Sequence, residues 1–164
     1  MKFYDLAAAE EDLRFSPNCW RNKMALEHKS FTAETVPWRF VEKEAIAFSG
    51  QKLVPVLVDG NKTVSDSWEI ARYLESAYSD WPSLFGGPEG EGLAMFVKFW
   101  CEQTLNRIVL RIILPELFAC LHEKDKAYFP RDPRSPLRRN IGAICTMHAL
   151  ASKCESYNAT GRRE

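Results

Sequence analysis

Apolar residues along the chain fall into short blocks whose spacing separates strands from helices. The tightest block is Leu53-Val54-Pro55-Val56-Leu57-Val58, unbroken between Lys52 and Asp59 and rich in the β-branched residues that a buried strand prefers. Pro55 lies inside it and cannot donate a ladder hydrogen bond. Two arrangements reconcile these facts. One is an edge strand with an ordinary trans proline. The other is a strand entered through a cis Val54-Pro55 bond, which leaves the Val54 backbone for something other than a strand. The block alone leaves both open. Beyond it, Asp59-Gly60-Asn61 is a hairpin turn signal and Thr63-Val64 a short returning strand.

Upstream, residues 2–6 predict a first strand and residues 7–15 an acidic loop. Ser16-Pro17 pairs an N-cap residue with a proline at the first helical position, opening a helix to about His28. Its apolar face is expected from Trp20 and Met24, with Cys19 and Leu26 on neighbouring rows. Residues 32–38 predict a second strand, with Val36 and Trp38 on one face and Pro37 marking an edge. Residues 42–48 predict a short helix that Gly50 ends. Past the hairpin, Asp66 or Ser67 caps the clearest helix, in which Ile70, Ala71, Leu74, Ala77 and Tyr78 keep helical spacing. Glu69 is placed to complete a capping box with Asp66. Residues 1–79 therefore predict a βαβαββα order.

Residues 80–91, rich in proline and glycine, predict a linker. From there Leu93, Phe96, Val97, Trp100, Cys101, Thr104, Ile108 and Ile112 recur at helical spacing, and Pro115 is expected to bend or end that helix before residues 116–122 resume it. Residues 92–129 thus predict an all-α segment. One amphipathic helix cannot bury its own apolar face, so this second domain reads as incomplete. Exposed apolar surface on Ile108, Ile112 and Ile113 would then drive dimerisation or aggregation. At Pro130 the text changes, with three prolines in seven residues, then a weakly apolar stretch and a polar end. Residues 130–164 predict a divergent, poorly ordered tail, and a truncated, mis-spliced or frame-shifted end is the hypothesis for it.

Composition narrows the function classes. The 164 residues hold one domain and part of a second, and the zero net charge argues against nucleic acid or an acidic membrane surface as the main partner. The zero conceals a split: residues 1–129 carry 15 Lys and Arg against 19 Asp and Glu, whereas residues 130–164 carry 7 against 3. The absence of a basic-then-apolar leader and of a membrane-length apolar run predicts a cytoplasmic protein. Cys19, Cys101, Cys120, Cys145 and Cys154 are odd in number and irregular in spacing, and His28, His122 and His148 show no ligand spacing. A reduced setting without a metal is the expectation.

Three ordered motifs carry a resemblance over about residues 1–129. Ser16-Pro17-Asn18-Cys19-Trp20-Arg21-Asn22-Lys23, then Val54-Pro55-Val56-Leu57-Val58-Asp59, then Asp66-Ser67-Trp68-Glu69-Ile70-Ala71-Arg72-Tyr73-Leu74 resemble the glutathione transferases. Within them the likeness is to the serine-type branch related to bacterial β-etherases and fungal etherase-like enzymes. The resemblance implies a thioredoxin-like α/β N-terminal domain followed by an all-α domain, with glutathione as co-substrate. It implies that Pro55 is cis and that the Val54 backbone pairs with the cysteinyl main chain of glutathione. Asp66 and Ser67 match the pair that receives the γ-glutamyl end, where an ammonium wants a carboxylate and a carboxylate wants a hydroxyl and helix N-terminal N–H groups. Ser16 matches the residue that addresses the sulfur. A hydroxyl donating to that sulfur at a helix N-terminus favours the thiolate, which is the nucleophile, so Ser16 is the expected catalytic residue. Plain N-capping would also explain Ser16, Asp66 and Ser67.

Lesser candidates stand beside these. Tyr4 is a rival to Ser16, since other branches use a tyrosine near the end of the first strand. Lys52 and Arg39 are candidates for the glycine carboxylate of glutathione, and Phe96 and Trp100 for walls of the electrophile pocket. Ser16-x-x-Cys19 has the spacing of a dithiol motif with its leading cysteine replaced, and Cys19 is more simply a small buried apolar residue. The favoured expectation is a transferase that directs the glutathione thiolate at an electrophilic small molecule, an aryl ether among the candidates, with a homodimer as one assembly. The alternatives are a non-catalytic binder of glutathione or a hydrophobic ligand, and a thiol-disulfide or deglutathionylating enzyme that uses Cys19.

Overall fold

A computed structural model of the chain describes residues 1–128. The expectations placed on residues 130–164 lie outside the described residues. Four strands form one mixed sheet in the order β2-β1-β3-β4: β1 (Lys2–Leu6), β2 (Glu34–Trp38), β3 (Val56–Asp59) and β4 (Lys62–Ser65). β1 pairs in parallel with β2, from Lys2 opposite Glu34 to Leu6 opposite Trp38, and antiparallel with β3. β3 and β4 form a hairpin whose first turn residue, Gly60, has φ +57°, as a glycine-first two-residue turn requires. β2 is an edge strand, which accommodates Pro37 without a lost ladder bond. With α1 (Pro17–His28) and α2 (Ser67–Ala77), this is a thioredoxin-like fold. The helical region follows, as α3 (Pro88–Trp100), α4 (Asn106–Cys120) and α5 (Glu123–Tyr128).

The core draws on every part of the sheet. Phe3, Trp38, Val56 and Leu57 meet Cys19 and Leu26 of α1 and Ile70 and Leu74 of α2, with Ile46 from the segment between β2 and β3. That segment, Lys43–Ser49, is a 3₁₀ rather than an α-helix, closed by Gly50 at φ +70°. The Val54-Pro55 bond is cis, and β3 begins one residue later, at Val56.

One expectation is corrected and another narrowed. Trp20 and Met24 are not the core face of α1; they are 46% and 68% exposed, and the buried residues are Cys19, Asn22 and Leu26. The Trp20 indole lies on the surface, donating to the Arg14 carbonyl at 2.9 Å beneath the Lys23 ammonium. Asn22 turns inward because its amide donates to the Ser67 carbonyl at 2.8 Å, so the α1–α2 contact is partly polar. Of the two outcomes expected at Pro115, a bend or an end, the structure excludes the end. α4 continues past it to Cys120 and stops only where Leu121 turns extended, at ψ 148°. A proline forfeits one intrahelical bond, and the run of leucine and isoleucine around Pro115 restores the helix on both sides.

A second layer of polar ties anchors the loop after α2. Lys29 is fully buried, with its ammonium 3.1 Å from Glu75 Oε2 and donating to the Tyr78 carbonyl at 3.1 Å. Glu75 also accepts from the Leu84 N–H at 2.8 Å and from the Ser83 hydroxyl. Burial alone would raise the Glu75 carboxyl, but the Leu84 N–H, the Ser83 hydroxyl and the Lys29 ammonium outweigh it and hold it at about 2. Because the folded value lies below the ordinary 4.5, this pair contributes stability above pH ~4.5 that is lost as pH falls toward 2. Glu75→Gln is expected to cost about 1–2 kcal/mol at pH 7, discounted because the side chain is a quarter exposed, and to flatten the acid limb. Denaturant midpoints at pH 7 and pH 3 measure both; an unchanged acid limb would refute the assignment.

The helical region is attached differently. None of the residues of α3 or α4 is buried, and Leu93, Phe96, Ile108 and Ile112 are each more than half exposed. What holds it is a set of discrete contacts. The Ala9 N–H donates to the Cys120 carbonyl at 2.9 Å, Arg72 meets Glu91 at 3.1 Å, and the buried Asp125 accepts from the Val41 N–H at 3.0 Å. Burial pushes the Asp125 carboxyl up, against the pull of the Val41 and Phe40 N–H groups.

Candidate functional site

Two helix N-termini frame the site. Ser16 caps α1, its Oγ accepting from the Cys19 N–H at 3.3 Å, and Pro17 occupies the first turn. Capping uses the oxygen as acceptor and leaves the single hydroxyl proton free to donate. The residue is 7% exposed, so a partner for that proton is partly shielded from water. Cys19 also lies beneath this hydroxyl, but burial, with the Asp5 carboxylate next in weight, pushes its thiol up to about 12. A neutral thiol is a weak acceptor and a poor nucleophile. Fully buried and protonated, Cys19 is a core residue here, which weighs against redox chemistry at this position.

Asp66 caps α2, with Oδ1 accepting from the Trp68 and Glu69 N–H groups at 2.8 and 3.2 Å. Its φ of +74° is rare for a residue with a side chain, and such conformations concentrate at ligand clamps. A carboxylate offers about four acceptor sites, so the cap does not exhaust it. Ser67 is buried. Its Oγ accepts from Arg21 Nη2 at 3.4 Å, which again leaves the hydroxyl proton for a ligand. Arg21 links more than these two. The same nitrogen bonds the Asn18 side-chain oxygen and lies 3.0 Å from Glu102 Oε1. Glu102 is 4% exposed, sits in a π turn (Cys101–Leu105) between α3 and α4, and is held from the other side by Lys98 at 3.1 Å. One guanidinium thus joins the α1 N-terminal turn, the α2 N-terminus and the helical region.

Ser16 and Val54 line one cavity, of about 270 Å³, between the sheet domain and α4. Phe15, Trp38, Phe40 and Leu53 form its inner wall. The opposite wall is a single helical row, Asn106, Val109, Leu110, Ile113, Leu114, Leu117 and Phe118, with Leu121 beyond it. Asp66, Ser67 and Lys52 lie outside this lining; Ser67 connects to it through Arg21, which also bonds the lining residue Asn18. Lys52 is exposed, two residues before Val54.

Four sequence candidates fall elsewhere. Phe96 and Trp100 belong to α3, are 68% and 51% exposed, and do not line the cavity, whose helical wall is α4. Tyr4 points to the sheet face opposite Phe3 and Asp5, where its ring meets Phe48 at 5.4 Å. Arg39 is committed to the Ala8 and Ala9 carbonyls, at 3.1 and 3.2 Å, and to Glu42. Sequence reasoning missed the α4 wall, Trp38 and Phe40 as lining residues, and the Arg21–Glu102 tie. It also missed Asp5, fully buried in β1 between Lys23 at 3.1 Å and Arg14 at 3.5 Å; these are charge contacts rather than well-aligned hydrogen bonds. Among the described residues, no group of three or more His, Cys, Asp or Glu could hold a metal ion, and no helix is long and apolar enough to cross a membrane.

Residues 12–83 match the family model described as glutathione S-transferase, N-terminal domain. Among solved structures, the chain is similar to a glutathione S-transferase of Ceriporiopsis subvermispora in complex with glutathione. There the identity is 24% and the TM-score 0.70, covering 98% of this chain and 74% of that one. It is similar to a glutathione transferase from Phanerochaete chrysosporium at 28% identity and TM-score 0.69, over 77% of this chain and 57% of that one. A second glutathione S-transferase of C. subvermispora, also in complex with glutathione, matches at 19% identity and TM-score 0.68, over 98% of this chain and 76% of that one. The chain therefore spans just over half the length of the P. chrysosporium enzyme and about three quarters of the others.

Proposed function

We propose that this chain binds glutathione across the N-termini of α1 and α2 and presents its thiolate to an electrophile held in the adjoining cavity. The observation that carries the reading is the shared cavity. Ser16, with a hydroxyl proton to donate, and Val54, which lies outside the β3 ladder, border a space walled mostly by apolar side chains. In this reading the Val54 backbone aligns the cysteinyl unit, Ser16 donates to the sulfur, and Asp66 and Ser67 receive the γ-glutamyl ammonium and carboxylate. Lys52 is the nearby cation for the glycine carboxylate. The sulfur attacks carbon, and the leaving group departs with its electron pair. Aryl ethers of the kind cleaved by the etherase-like branch are candidate electrophiles, and a reducing cytoplasm suits a protein whose Cys19, Cys101 and Cys120 are all free. The two solved C. subvermispora enzymes in complex with glutathione support the same co-substrate here.

Calorimetric titration of glutathione into the folded chain tests the reading. Binding is expected in the wild type. Asp66→Asn, which keeps the cap and the shape but removes the charge, is expected to weaken it about tenfold, the value of one charge-assisted contact. No binding, or equal binding by both forms, would defeat the proposal. A second reading, binding without turnover, is favoured by one observation: α3 and α4 bury none of their residues, so among the described residues little packs behind the electrophile wall. Turnover of aromatic halides and β-aryl ethers by the same preparation separates the two, and a homodimer that covers this surface would appear in its sedimentation.

A further inference from the structure

Among the described residues, the lining of the cavity beside Ser16 is apolar with three polar exceptions, and they are not equivalent. Ser16 caps α1 through its oxygen and its proton is the one assigned to the glutathione sulfur, while Asn18, on α1, is tied by its side-chain oxygen to Arg21. Asn106 is different: among the described residues its side-chain amide makes no hydrogen bond or ion pair. It is the first member of the row Asn106, Val109, Leu110, Ile113, Leu114, Leu117 and Phe118, spaced by three and four, which places it on the cavity-facing side of α4. It also directly follows the π turn Cys101–Leu105, a distortion that recurs at functional sites. Among the described residues none in the lining carries an ionisable side chain, so a charged guest would lose its hydration without a partner there. A cavity of about 150 Å³ holds benzene, and about 270 Å³ accommodates a substituted ring.

We propose that Asn106 is a specificity-determining residue, selecting for this cavity neutral aromatic molecules that carry a hydrogen-bond-accepting oxygen, as in a carbonyl, nitro group or aryl ether. The carboxamide NH₂ donates to that oxygen while the ring lies among Phe15, Trp38, Phe40 and the α4 side chains. The inference rests on the proposed function for calling the guest an electrophile, but the selectivity is a property of the cavity alone.

The test uses two unreactive probes of nearly equal shape, acetophenone and ethylbenzene, with affinities measured by ligand-detected NMR in the full chain with and without glutathione. In the wild type acetophenone is favoured. In Asn106→Leu the acetophenone-to-ethylbenzene affinity ratio is expected to fall about tenfold, the value of one hydrogen bond, while glutathione affinity stays unchanged. Asn106→Asp, which replaces the donor with an acceptor, is expected to lose the preference as well and serves if the leucine variant fails to fold. Asn106→Gln, which keeps the donor, is expected to restore part of it. An unchanged ratio in the variants, or no probe binding by the wild type, would overturn the proposal and leave the glutathione reading standing. A falling ratio in a chain that does not bind glutathione would overturn that reading and leave this one.

Discussion

Replacing Ser16 by alanine is expected to lower turnover about 30-fold at neutral pH while changing the affinity for glutathione by less than about twofold. A hydrogen bond to a charged acceptor contributes roughly 1.5–3 kcal/mol, and here it favours the ionised over the neutral sulfur. The bound thiol, ordinarily near 8.5 for a free cysteine, should ionise about one to two pH units higher in the variant. The lost activity is therefore expected to return as pH rises past that value, so the pH–rate profile shifts up and its plateau is largely kept. The missing cap costs about 1 kcal/mol of stability, which a denaturation midpoint subtracts. A uniform loss at every pH would mean that Ser16 shapes the site without addressing the sulfur, and an unaltered rate would end the mechanistic claim.

The second large effect falls on Arg21. Arg21→Met keeps the aliphatic length but removes the charge that meets Glu102, a carboxylate only 4% exposed. Breaking a fully buried ion pair from one side costs about 3–5 kcal/mol; the Arg21 side chain is 36% exposed and Glu102 keeps its Lys98 contact at 3.1 Å, which together reduce this to about 2 kcal/mol. The loss should appear as a lower denaturant midpoint. Since the same nitrogen donates to Ser67 Oγ, glutathione affinity should weaken severalfold in the folded variant. Arg21→Met combined with Glu102→Gln relieves the stranded charge, so it is expected to recover stability without recovering affinity. Equal recovery of both would show that Arg21 acts only as a structural tie.

Which features were legible in the sequence follows from the range of the interactions behind them. Ser16-Pro17, Asp59-Gly60-Asn61 and Asp66 specify caps and turns within three residues, and each lies where local chemistry put it. The cis bond at Pro55 was open on the block alone, and the resemblance carried by the three motifs decided it. Hydrophobic spacing misled on α1, because it gives weight to Trp20 and Met24 and none to Asn22, whose inward direction depends on a carbonyl 45 residues away. The same blindness covers Asp5 and Glu102, which are buried because cations from other elements meet them. Phe96 and Trp100 are the expected walls of a pocket between the domains, but both stand on α3, whereas the lining helix is α4. Which helix faces Ser16 is decided by docking, through Cys120 with Ala9 and Asp125 with Val41, and no local pattern encodes that.

The division of the cavity's two walls between distant stretches of chain has a consequence for how such a protein changes over generations. The groups assigned to glutathione lie between Ser16 and Ser67, whereas the guest-facing row runs from Asn106 to Phe118. Substitutions can accumulate along that row, one helical turn at a time, and alter which guests fit while the co-substrate groups are inherited intact. Glu102 is the exception, since a change there is felt at Arg21 and through it at Ser67. Lineages that diversify their guests should therefore vary freely after the π turn and stay conservative within it.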